Sequence, residues 1–198
     1  MTGLLVAIEG PKSVGKTTLI DQIQAMSPDT GDWLFTKEPT GQFDLGNEQR
    51  CVGAELAALI ADDRGRHLAE VITPALERGQ VVVTDRYILS SYVFHCLDGV
   101  SPTVVAGLNA SFRSPDVLLI LQCAPDTLRD RRAKQGHSTR LSTAITVEDE
   151  ILAYTAYANA CRPVSGEIII GYNESMNDCH LIVNRLVGEI RTRKASYA

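Results

Sequence analysis

Gly10-Pro11-Lys12-Ser13-Val14-Gly15-Lys16-Thr17 sets a glycine ahead of a Gly-Lys-Thr run with four residues between them. Residues of those types at that spacing suit a nucleoside triphosphate. Backbone N–H groups of such a loop converge on phosphate oxygens at a helix N-terminus, where the dipole also favours negative charge. Lys16 is placed to reach the β- and γ-phosphates, and the Thr17 hydroxyl to ligate Mg²⁺. An apolar, strand-like run, Leu4-Leu5-Val6-Ala7-Ile8, comes before, and a helix-compatible run, Thr18-Leu19-Ile20-Asp21-Gln22-Ile23, comes after. That context separates a working phosphate loop from a tight strand–helix turn that binds nothing. Gly10, Pro11, Lys12, Ser13, Val14, Gly15, Lys16, Thr17 and Thr18 are the expected triphosphate contacts.

Three further segments carry chemistry. Val81-Val82-Val83-Thr84-Asp85-Arg86-Tyr87 reads as a buried strand delivering an acid and a base at its carboxyl end. Asp85 can hold Mg²⁺ or one of its waters, and Arg86 can grip a phosphoryl group with its planar fork. Arg129, Arg131, Arg132, Lys134, His137 and Arg140 straddle the loop Gln135–Thr139. A flap of that kind can close cations over a migrating phosphoryl group while excluding water, although part of the run serves as a solvated helix face. Thr36-Lys37-Glu38-Pro39-Thr40-Gly41 ends a second strand, and Pro39 forces Glu38 into an extended conformation. Glu38 is then a general base for a hydroxyl acceptor, an orienting partner for Arg86, or an exposed turn residue.

The elements that must hold these residues alternate. Strands are expected at Leu4–Ile8, Trp33–Lys37, Val81–Thr84, Val117–Leu121 and Ile168–Gly171, with one long helix over Glu48–Leu76 and others over Asp126–Lys134, Val147–Ala160 and Ser175–Ile190. Short apolar strands alternating with helices predict a parallel sheet covered on both faces, with ligand at the carboxyl ends of its strands. At 198 residues the chain reads as a single domain, 1–198. A formal charge of −5 gives no basic excess for binding a nucleic-acid polymer. The scattered cysteines 51, 96, 123, 161 and 179, the lack of a signal-like start, and the lack of an 18-residue apolar run lead to the expectation of a reduced, cytoplasmic, membrane-free protein.

Together these segments resemble the thymidylate kinase family along nearly the whole chain. Ile8-Glu9-Gly10 enters the phosphate loop, Lys37-Glu38-Pro39 stands for the usual Arg-Glu-Pro, and Leu59-Ile60-Ala61-Asp62-Asp63-Arg64 follows. Thr84-Asp85-Arg86-Tyr87 with Ser90-Ser91, Pro115-Asp116-Val117-Leu118-Leu119 and the flap Arg131–Arg140 complete the match. The resemblance implies an α/β P-loop kinase with a five-stranded parallel sheet, helices on both faces and a short basic lid near 132–145. It implies ATP and Mg²⁺ as cofactors, with Arg131 joining the ATP contacts and Thr17 and Asp85 on the metal. Lys16, Asp85, Arg86, Arg132 and Arg140 would be catalytic. Lys37, Glu38, Ile60, Arg64, Arg86, Ser91, Phe94 and His95 would bind the acceptor, Arg64 on the base edge and Arg86 on the phosphate. A homodimer through helices flanking the sheet is also implied; the apolar side of Glu48–Leu76 could serve it or pack on the sheet, which is the default.

The departures fall on the acceptor side. Lys12 stands where these kinases usually have an acid beside the sugar hydroxyl, Ile60 replaces the aromatic residue that stacks on thymine, and Lys37 gives up bidentate geometry. Phe94-His95 occupies the usual Tyr-Gln, and Thr139-Arg140 the usual Asp-Arg. The leading expectation is ATP-dependent phosphorylation of dTMP or a related nucleoside monophosphate. The alternatives are a kinase of a nucleoside or other hydroxyl-bearing molecule with Glu38 as base, and a nucleotide-binding regulatory protein.

Overall fold

In the computed structural model, which describes residues 3–26, 32–136, 140–161 and 168–196, five strands form one parallel sheet. The strands are β1 (Leu4–Glu9), β2 (Leu34–Lys37), β3 (Val81–Asp85), β4 (Val117–Gln122) and β5 (Ile168–Tyr172), ordered β2-β3-β1-β4-β5. The two-residue period of a strand sends alternate side chains to opposite faces. Leu4, Val6, Ile8, Val81, Val83 and Leu119 pack on one face, against Leu19 and Ile23 of α1 (Lys16–Gln24) and Ile182, Leu186 and Ile190 of α10 (Met176–Ser196). Leu5, Ala7, Val82, Leu118 and Ile120 pack on the other, where Leu89 and Val93 meet Ala153 and Tyr154.

The order makes β1 a switch point: the chain leaves it for one edge and later crosses to the other side. In this architecture ligands bind outside the carboxyl ends of the strands at such a point. Ile8 pairs with Asp85, and Asp85 with Lys37, so three strands end level with the phosphate loop.

The helices differ from expectation in two places. The expected single helix over Glu48–Leu76 is divided into α2 (Asn47–Arg50), α3 (Gly53–His67), a π-helical segment (Leu68–Ile72) and α4 (Thr73–Glu77). Cys51 and Val52 are extended, and Gly53 follows at φ 58°, a conformation costly to residues with a Cβ. Pro74 lacks the N–H that would continue regular helix, so the π turn sits where the ladder must be interrupted. Leu56 and Ile72 are buried while Val52 stays exposed, so the apolar stripe splits with the helix. Two unexpected helices, α5 (Ile88–Leu97) and α6 (Pro102–Asn109), complete the layer over the site. The basic segment lies on α7 (Pro125–Gln135) and α8 (Arg140–Ala144), followed by α9 (Val147–Tyr157). His137 and Thr139 lie outside the described residues. Among the described residues all five cysteines are free thiols, and no helix is long and apolar enough to cross a membrane.

Candidate active site

The phosphate loop closes between β1 and α1 on two constrained glycines. A Cβ on Gly10, at φ 142°, would lie 2.5 Å from the Leu121 carbonyl oxygen, and one on Gly15, at φ 105°, 2.4 Å from Asn173 Nδ2. Side chains are therefore excluded where the backbone must wrap phosphate. Lys16 folds inward, its Nζ donating to the carbonyl oxygens of Gly10 and Pro11, each at 2.9 Å. Burial, aided by the Arg86 charge, pushes the Lys16 ammonium down to about 7 from 10.5. Phosphate oxygens in the loop would restore its charge. ATP binding is thus expected to take up a proton between pH 7 and 10, measurable by calorimetry in buffers of different ionisation enthalpy. Buffer-independent heats at pH 8 would refute this.

Arg86 follows β3 at φ 69°, unusual for a residue with a side chain. Buried Glu9 enforces the turn by accepting from the backbone N–H groups of Tyr87 at 2.9 Å and Ser90 at 3.1 Å, and from Ser90 Oγ at 2.5 Å. The Arg86 fork then donates to Ser90 Oγ at 3.1 Å and to the Tyr154 hydroxyl at 2.8 Å, and stacks 5.0 Å from the centre of the Phe94 ring. Two cavities meet there. One, of about 230 Å³, is lined by the loop residues Lys12, Ser13, Gly15 and Lys16 with Thr17, Thr18, Asp85, Arg86 and Gln135. The other, of about 270 Å³ and mainly apolar, is bounded by Glu38, Ile60, Arg64, Ser91, Phe94 and His95, together with Phe43 and Leu141. Lys12 and Arg86 line both.

The second cavity contains a buried polar cluster. Arg64, 1% exposed, donates from Nε to Glu38 Oε2 at 2.7 Å, from Nη1 to Ser91 Oγ at 3.0 Å and to Asn109 Oδ1, and from Nη2 to the Tyr87 carbonyl at 3.1 Å. Glu38 Oε1 lies 3.1 Å from His67 Nδ1, and Thr36 Oγ1 2.7 Å from His67 Nε2. Glu38 therefore orients Arg64 and not Arg86. His95 is buried beside this cluster, and its Nδ1 has no hydrogen-bond partner among the described residues. Burial, with Arg64 nearby, lowers its pKa to about 4, so the ring is neutral at physiological pH.

Two residues lie elsewhere than the resemblance implied. Lys37 is exposed and lines a separate cavity with Thr36, Thr40, Asp63, Arg66 and His67, because β2 turns that side chain away from the acceptor side. Arg140 is not over the phosphate loop. It donates to Asp98 Oδ1 at 2.7 Å and Oδ2 at 2.9 Å, and to the Glu48 carbonyl at 2.9 Å, so it ties α8 to the acceptor cavity. Arg140 accordingly holds the Asp98 carboxyl below its usual range. Arg132 and Arg131 do lie at the loop. Arg132 pairs with buried Glu150, which also accepts from the Lys12 N–H at 2.9 Å, and Arg131 donates to the Val14 carbonyl at 3.0 Å.

The thymidylate kinase family model matches residues 8–159, from the end of β1 through the lid and α9. The chain belongs to the thymidylate kinase family. Its relatives include the thymidylate kinase of Caldicellulosiruptor saccharolyticus, 33% identical over 156 residues that cover 72% of this chain and 76% of the relative. The Xanthomonas oryzae enzyme is 36% identical over 132 residues, covering 63% of this chain and 58% of that one. In fold, the chain is similar to the thymidylate kinase of Candida albicans, with a TM-score of 0.74 at 17% identity over 98% of this chain and 93% of the other. Tyr154, Asn109 and Phe43, which touch Arg86, touch Arg64 and line the acceptor cavity, gave no sequence signal of their own, and Glu9 entered only as part of the motif before the loop. Glu9, directly before the Gly10 loop on an otherwise apolar strand, was the one a buried-charge argument could have flagged.

Proposed function

We propose that this chain carries out the ATP-dependent phosphorylation of dTMP to dTDP, with ATP in the loop cavity and the nucleotide in the apolar one. The observation that carries this assignment is that Lys12 and Arg86 line both cavities, so a phosphoryl group crossing between them passes two cations. Lys16 grips the donor phosphates, Arg86 the acceptor phosphate, and Arg132 and Arg131 approach from the lid. The neutral His95 ring and Arg64 face the base. A monophosphate acceptor is already ionised, so catalysis consists of positioning and charge stabilisation.

Asp85 Oδ1 is buried without a hydrogen-bond partner among the described residues, and the Thr17 hydroxyl lines the same cavity. Hard oxygen donors of this kind fit Mg²⁺, with phosphates and water completing the shell. Bound there, Mg²⁺ would neutralise charge on the donor phosphates.

The hydroxyl-acceptor alternative needs Glu38 as a free base. Both its oxygens are instead engaged, and its side chain is 3% exposed. ADP release should therefore rise with dTMP and not with thymidine, and Glu38→Gln should lower kcat less than tenfold. Turnover of thymidine alone, with a loss of 10²–10⁴ in that variant, would overturn the assignment.

A further inference from the structure

Two phenylalanine rings line the acceptor cavity, and their surroundings differ. Phe94 carries the Arg86 guanidinium on its face and meets Tyr154 edge-on, with centroids 6.5 Å apart at 87°. Its π surface already serves to hold a cation. Phe43 sits in a small buried cluster with the aliphatic residues Leu56, Leu141 and Ile145, against which Ile60 and Phe94 pack, and among the described residues its ring makes no stacking or cation–π contact. Tyr87 also lines this cavity, but its ring already carries the Arg64 guanidinium 5.2 Å from its centre, and the remaining apolar walls, Pro39, Leu45, Leu56, Ile60 and Leu141, are not aromatic.

We propose that Phe43 is the aromatic surface on which the acceptor's planar base rests, and hence a specificity-determining residue; the proposal builds on the nucleotide-kinase assignment above. Its position is fixed before any ligand arrives. The Thr40 N–H and hydroxyl bond the two oxygens of Asp63 at 2.8 and 2.7 Å, and the Phe43 N–H bonds the Thr40 carbonyl at 3.2 Å. Asp63 is buried on α3, next to Arg64 and one turn from Ile60. One helix thus holds both the arginine that faces the base edge and the turn that presents the ring. A ring held this way loses little freedom on binding. Leu141 and Ile145 share the cluster, so the ring also packs beside α8.

Calorimetric titration of dTMP and of ATP into wild type, Phe43→Leu and Phe43→Tyr tests this. Phe43→Leu keeps aliphatic packing and removes the ring. It should weaken dTMP roughly tenfold or more. ATP should stay within about twofold, because Phe43 does not line the loop cavity. Phe43→Tyr should stay near wild type. Wild-type affinity in Phe43→Leu overturns the proposal. So do equal losses in Leu and Tyr, or equal losses for dTMP and ATP, since those are signs of packing alone. If wild type binds another monophosphate in place of dTMP, and Phe43→Leu weakens that one, the acceptor assignment falls and the role of Phe43 stands.

Discussion

Lys16→Ala is expected to lower kcat by on the order of 10³ or more, with the fold retained. The donor phosphates would lose the one loop ammonium whose Nζ is already positioned by two carbonyl oxygens. Stability should not fall with activity, because burial opposes the Lys16 charge in the ligand-free protein. The folded pKa, about 7, lies below the unfolded 10.5, so between these values the unfolded chain holds the extra proton. Wild-type stability from this group therefore rises as pH goes from about 7 towards 10.5. Relative to wild type, Lys16→Ala should then melt at a similar or higher temperature at pH 7, with the difference shrinking towards pH 10. Steady-state kinetics and melting curves at the two pH values check both parts. Turnover near wild type would remove Lys16 from the catalytic machinery.

Arg64→Ala carries the largest expected effect on folding. Sequence resemblance places this arginine on the base edge, which would make its loss a matter of acceptor KM. The structure adds a second consequence. Removing the side chain leaves Glu38 buried with only His67, and takes donors from Asn109, Ser91 and the Tyr87 carbonyl. Breaking one partner of a buried ion pair costs about 3–5 kcal/mol. For a chain of this size that corresponds to a drop of roughly 6–20 °C in melting temperature. Combining Arg64→Ala with Glu38→Gln should cost less than the sum of the two, because the buried charge is removed together with its partner. Strict additivity in urea or thermal unfolding would show that the pair is not coupled. An acceptor KM change at unchanged melting temperature would mean that Arg64 serves the ligand and not the fold.

The phosphate loop was legible because its function depends on backbone conformation, and glycine at fixed spacing encodes that directly. The central strands β1, β3 and β4 were legible because parallel strands buried on both faces are nearly continuous apolar runs, and the less buried edge strands β2 and β5 still carry short apolar starts. Helix α5 was not. Ile88–Leu97 is apolar nearly all round and lies buried between the sheet and α9, so it lacks the period that marks a helix with a wet face. The breaks within 47–77 were passed over because apolar residues at helical spacing continue across Gly53 and Pro74, although the positive φ of the one and the missing N–H of the other mark the interruption locally.

The sequence by itself determined the chemistry of the donor side, since Gly10, Gly15, Lys16 and Thr17 are neighbours in the chain and act through local geometry. Tertiary structure alone decided the acceptor side. Glu38, Arg64, Ser91 and Asn109 come from four separate segments, and only the closed sheet with its helical cover brings them within hydrogen-bond distance. It also decided the placement of like residues: Arg132 went to the loop and Arg140 to Asp98, although both read as flap cations. An arginine is drawn to whichever carboxylate the fold buries nearest to it, and that distance is not written in the spacing of residues along the chain.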